Sequence, residues 1–194
     1  EDDAACAPTA HLSLSFTLLR AQLWEASEQF WHQGEFRRCI EMMRMIVQIA
    51  PLDIEAYSVG AWLMQNEFRD DQAEAFLRRG LKHNPDVYDM YFELGNFLYM
   101  HERYSDAAEL LETAASFDCP FFVRHVLAHA YESDGRISDS LRIWLEQESI
   151  EPGPGVPERQ IDRIMRGGPP PGVPERTQRW RRERKAREDA EATG

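Results

Sequence analysis

From Arg20 onward the chain repeats with a period of 34 residues. Pro51 and Pro85 are 34 apart and Pro152 follows 67 later, with Cys119 in the place of a missing proline and Pro120 just after it. These marks divide the chain into blocks at 20–53, 54–87, 88–120 and 121–154. A block of this length can form two amphipathic helices but cannot bury a core by itself. Its apolar face is covered only when the next block stacks on it.

The residue types within each block agree with that reading. Small residues recur where a first helix approaches its neighbour: Ser27, Ala61, Gly95 and Ala128. They recur again where the second helix crosses, at Cys39, Ala73, Ala107 and Ser140. Large residues stand between them, with Phe30, Met64, Leu98 and Tyr131 on the first helices and Met43, Leu77, Leu111 and Trp144 on the second. Small side chains set the spacing and large ones fill it. Gly34 and Gly135 mark the turn between the two helices, and the proline closing each block ends its second helix.

This pattern resembles the tetratricopeptide repeat, most closely at Tyr91, Leu94, Gly95, Leu98, Tyr104, Ala107, Leu111 and Ala114. The resemblance covers about two thirds of the chain, residues 17–151, and implies an all-α, right-handed α-solenoid of four helix-turn-helix repeats. Four positions depart from it: Phe68 stands where the turn glycine is expected, Asp70 where an aromatic is expected, Ile46 where a small residue is usual, and Arg124 at the usual first aromatic. A reshaped second turn with an exposed Phe68 is the expected result.

The resemblance also implies a concave face lined by the first helices. Its groove positions fall on Trp24, Glu28, Ser58, Trp62, Gln65, Asp89, Phe92, Asn96, Tyr99, Phe122, His125, His129 and Glu132. Relatives that clamp a peptide carboxylate use Lys, Arg and Asn in such a groove, and no Lys or Arg stands at these positions. Aromatic rings beside amides and carboxylates suit an extended apolar or basic peptide, or stacking on sugar rings. His125, His129 and Glu132, at i, i+4 and i+7, have the spacing of a metal site without a fourth ligand, and their ordinary reading is polar groove residues. No phosphate loop, nucleophile elbow or Cys-rich metal motif occurs, so no enzyme activity and no cofactor are expected.

Outside the repeats the reading changes. Residues 1–16 are expected to be an extended or disordered lead-in; Leu12, Leu14, Phe16 and Leu18 alternate as in a short strand, and the favoured reading of the same stretch is a helix from about Thr17 after an extended approach. A start at Glu1 without Met is compatible with a removed export signal, which would make the chain periplasmic or extracellular; without such a signal a cytoplasmic location is expected. Cys6, Cys39 and Cys119 give an odd count without metal spacing, and no disulfide framework is expected. No apolar run is long enough to span a bilayer.

After Ser149 the chain becomes rich in Pro and Gly. The hexapeptide PGVPER occurs at 154–159 and again at 171–176, each copy placing Pro in the first turn of a new helix. The expected elements are a short helix over 157–166, with Ile161, Ile164 and Met165 on one side, and a basic helix over about 174–192. Residues 152–194 carry 10 Lys+Arg against 7 Asp+Glu, leaving residues 1–151 with 12 against 27. A body at −15 repels nucleic acid and attracts its own tail at +3.

The reading that follows is a non-enzymatic protein–protein interaction and assembly scaffold. Partners, other copies of the chain among them, would join through the solenoid ends, Phe68, and the tail residues Arg176, Arg179, Trp180, Arg181, Arg182 and Arg184 on acidic repeat surface. The alternative is a monomeric adaptor that holds a peptide or polysaccharide in the aromatic groove.

Overall fold

The computed structural model describes residues 7–150, 152–170 and Ala186, with side chains from Leu14 onward. Among the described residues there are helices and no strands: α1 (Ala7–His32), α2 (Phe36–Ile49), α3 (Ile54–Asn66), α4 (Asp70–His83), α5 (Tyr88–Met100), α6 (Tyr104–Ala115), α7 (Phe121–Ser133), α8 (Ile137–Ile150) and α9 (Val156–Met165). They belong to two compact units, residues 1–86 and 87–194. In the first, α2 packs on α1 and α3, and α3 on α4; in the second, α6 packs on α5 and α7, α8 on α7, and α9 on α8.

Each core is built from the recurring small and large residues. Ala61, Cys39, Ala73, Ala107, Ala128 and Ser140 are buried, as are Met43, Met64, Leu77, Leu98, Leu111, Tyr131 and Trp144. Phe30 is the exception and stays half-exposed beneath the guanidinium of Arg38, 4.5 Å from its ring centre. Gly95 has no room for a side chain, because a Cβ there would lie 2.8 Å from Leu111. Removing one of these large side chains forfeits its transfer energy and leaves a void, together about 2–5 kcal/mol.

All four hairpins turn in the same way. The second residue after each first helix takes a left-handed conformation: Gly34 (φ 73°), Phe68 (φ 60°), Glu102 (φ 62°) and Gly135 (φ 83°). The next N–H reaches back to the helix: Glu35 to the Phe30 carbonyl (2.9 Å), Arg69 to Met64 (2.9 Å), Arg103 to Leu98 (3.0 Å) and Arg136 to Tyr131 (2.7 Å). This is the Schellman ending. Phe68, like Glu102, therefore keeps the turn that glycine makes at Gly34 and Gly135, at a steric cost, and is half-buried where a reshaped loop and an exposed ring were expected.

α1 begins at Ala7, so the expected extended lead-in is helical over residues 7–16. Neither Ser15 nor Thr17 starts the helix, because the Ala-rich stretch before them continues it and no cap interrupts it. Leu14, Phe16, Leu18 and Leu19 remain exposed along α1. At the other end, α9 starts at Val156 with Pro157 in its first turn and stops before Gly167 in a left-handed conformation (φ 70°). Ile161 and Ile164 are half-buried, whereas Met165, expected on the same packed side, is 71% exposed. The basic segment over 174–192 and the second PGVPER copy lie outside the described residues, Ala186 apart. No helix among the described residues is long and apolar enough to cross a membrane.

Candidate functional site

In the first unit the groove residues separate into two groups. Trp24 is tied down, its indole N–H donating to Asp53 Oδ2 at 3.2 Å. The same carboxylate accepts from Arg20 Nε at 2.5 Å, and its other oxygen caps α3 through the Ala56 N–H at 3.1 Å. Asp53 is 7% exposed, and three donors satisfy it. Trp24 is thus part of the joint between α1 and α3.

Trp62 is different. It is 51% exposed and its ring lies 5.5 Å from that of Trp31, also exposed, which meets Phe36 edge-on at 5.2 Å. The three rings form an aromatic ridge across α1, α2 and α3. Glu28 is exposed and Gln65 half-buried on the same two first helices. Trp31 and Phe36 were not among the residues picked from the sequence, although Trp31 precedes Gln65 by one period of 34.

In the second unit Phe92 and Phe122 pack edge-on at 5.1 Å, with Phe122 exposed. Tyr99 lies 5.6 Å from Tyr104, and burial raises its phenol pKa although a hydrogen bond with Ser133 opposes the shift. Asn96 is half-buried on the same helix. Phe68, of the proposed assembly set, belongs to the first unit; Arg176, Arg179, Trp180, Arg181, Arg182 and Arg184 lie outside the described residues.

His125, His129 and Glu132 do come together on α7, but each is engaged with its neighbours. His125 Nε2 pairs with Gln147 Oε1, and both imidazoles lie against Trp144, at 4.9 and 5.2 Å. Glu132 is 4% exposed and receives both guanidinium nitrogens of Arg163 from α9, at 2.5 and 2.6 Å. Arg163 also donates to the Pro169 carbonyl at 2.6 Å. Burial is the main cause of the lowered His129 pKa; Glu132 opposes it, while Arg163 and His125 add to it. Among the described residues no group of His, Cys, Asp or Glu is placed to hold a metal ion. Glu132 is thus enclosed by Arg163 of α9, and the two histidines beside it are half-buried against Trp144.

A second feature of this unit is a cleft of about 500 Å³ over α7, between α6 and α8. Leu127, Ile143 and Ala115 form its apolar lining, and Arg124, Arg142, Glu112 and Glu146 its charged one. Tyr131 also lines it, its phenol pushed up to about 12 by burial and by the bond it donates to Glu112.

No protein-family model matches the sequence, and no curated protein matches it. Solved structures do match the fold. A crystal structure of MamA aligns with TM-score 0.62 at 15% identity, over 90% of this chain and 94% of that one. MamA from residue 41 to the end, of Desulfovibrio magneticus RS-1, aligns at 0.57 and 16% identity over 69% of this chain and 76% of its own. TTC0263, a thermophilic TPR protein of Thermus thermophilus, aligns at 0.57 and 15% identity over 81% of this chain and 92% of its own. The chain has the all-α solenoid fold of tetratricopeptide-repeat proteins.

Proposed function

We propose that the chain is a protein-interaction scaffold whose partner seats on the aromatic ridge of its first unit. The observation that carries this is the pair Trp31 and Trp62, whose rings meet at a tilt of 35° while both stay exposed. Large rings at a surface supply contact area with little entropy to lose, and such residues dominate binding energy where proteins meet. An extended peptide is the fitting ligand, with a polysaccharide as its chemical rival for the same rings.

The test compares proteins captured from the source organism by the full chain and by the Trp31→Ala/Trp62→Ala variant. A specific partner should be retained by the first and lost by the second, with the melting temperature unchanged. An identical set from both would overturn the reading.

One observation favours a second reading, assembly with other copies. Leu14, Phe16, Leu18 and Leu19 lie exposed on α1 in a stretch, residues 4–19, that contains no Asp, Glu, Lys or Arg. Copies of a chain at −12 repel least along such a stretch. Light scattering at low and high salt checks it: assembly through α1 persists in salt and is lost in Phe16→Ser/Leu18→Ser, whereas docking of the basic tail dissolves in salt.

A further inference from the structure

The cleft of the second unit has a filled counterpart in the first. α3 begins at Ile54 and α7 at Phe121, 67 residues apart, so Tyr57 corresponds to Arg124, Gly60 to Leu127 and Phe76 to Ile143. In the first unit the Tyr57 and Phe76 rings lie 5.0 Å apart and both are buried. Phe76 is seated so closely over Gly60 that a Cβ there would lie 2.6 Å from its ring. Two aromatic rings occupy the space over α3 between its flanking helices. In the second unit an arginine and an isoleucine stand at those positions, and the space is open.

The charges around the opening are not equivalent. Arg136 is committed: it donates to Glu112 (2.8 Å) and Asp139 (2.9 Å) and its guanidinium covers the Tyr131 ring at 4.1 Å. Arg124 meets Glu146 at 3.3 Å and Arg142 meets Asp139 at 3.0 Å, both through exposed ion pairs. Exposed pairs of this kind contribute little and exchange readily with another anion. The cleft therefore presents an apolar floor of Leu127 and Ile143 beneath two guanidiniums that can be recruited, in a volume typical of small-molecule sites.

We propose that this cleft binds a small organic anion with an apolar body, the body on Leu127 and Ile143 and the anionic group between Arg124 and Arg142. A planar carboxylate, sulfonate or phosphate matches the guanidinium fork. Glu112 and Glu146 do not block the anion, since Glu112 is already held by Arg136 and Glu146 is released when Arg124 turns to the ligand. The site is separate from the aromatic ridge of the first unit, so either reading can fail alone.

The probe is 8-anilinonaphthalene-1-sulfonate, titrated by fluorescence against the full chain. The expected result is saturable binding at one site, weakened by salt, about tenfold weaker in Arg124→Tyr and several-fold weaker in both Arg142→Ala and Arg124→Lys. Arg124→Tyr restores the ring found at Tyr57 and should fill the cleft with the helical circular dichroism unchanged. Arg142→Ala lies on an exposed helical surface and keeps the test decisive if the tyrosine variant misfolds. Equal affinity in wild type and Arg142→Ala overturns the proposal, as does loss of the signal in Phe16→Ser/Leu18→Ser, which would place the dye on α1.

Discussion

The hairpins α3–α4 and α7–α8 occupy corresponding places in two successive units and have resolved the same positions differently. Trp62 and His129 are equivalent under the shift of 67, as are Gln65 and Glu132. On α3 the tryptophan is exposed; on α7 the histidine is packed against Trp144, and the neighbouring glutamate is locked by Arg163 from α9. Between the helices the order reverses, with aromatic rings filling the first unit where the second keeps a charged cleft. A repeat position fixes where a side chain goes and leaves open what it does there. Whether it is presented or enclosed depends on the next element, and α9 decides it for α7.

The comparison can be broken most severely at that lock. Arg163→Ala leaves Glu132 as a buried carboxylate without its partner, and should destabilise the second unit by about 3–5 kcal/mol in chemical denaturation. A loss near zero would mean that α9 does not close this joint. Next in size is the packing of the first unit: Gly60→Ala pushes a methyl group into Phe76 and should cost about 1–3 kcal/mol. Thermal melts that coincide with wild type would show that the ring over Gly60 can move aside.

The smallest effect is in pH. His129 is held below its ordinary pKa of 6.5, so the folded state resists a proton that the unfolded chain accepts. Its contribution is complete above about pH 6.5 and is lost as pH falls from there through the folded value. Stability of wild type should drop over that interval more than that of His129→Gln, in denaturation curves taken at successive pH values; parallel curves would remove His129 from the joint.

Much of the fold was legible because the repeat constrains volume. Cys39, Ala61, Ala73 and Gly95 could be assigned to close approaches from spacing alone, since a helix crossing tolerates few side chains there. The turn at Phe68 was harder to read, because backbone hydrogen bonds hold the left-handed conformation without glycine. α1 was misread since alternation in Leu12, Leu14, Phe16 and Leu18 satisfies a strand pattern locally, whereas nothing in the stretch interrupts a helix. The site was less legible still. Trp24 carries the mark of a groove residue but is claimed by Asp53, and Glu132 is claimed by Arg163, 31 residues away in a part of the chain outside the 34-residue repeats. Periodicity reports geometry; these partnerships depend on side chains it does not index. Trp31 could have been found, since it shares its place in the period with Gln65 and Tyr99.

The shared Schellman turn also has a consequence in time. Each hairpin closes a loop of a few residues through backbone bonds that form as soon as the chain bends, which favours rapid local folding. The Arg163–Glu132 lock joins segments across the whole α7–α8 hairpin and can form only after that hairpin exists. Refolding of the second unit should therefore report α8 before α9: substitutions at Leu127 or Trp144 should slow folding, and substitutions at Arg163 should chiefly speed unfolding.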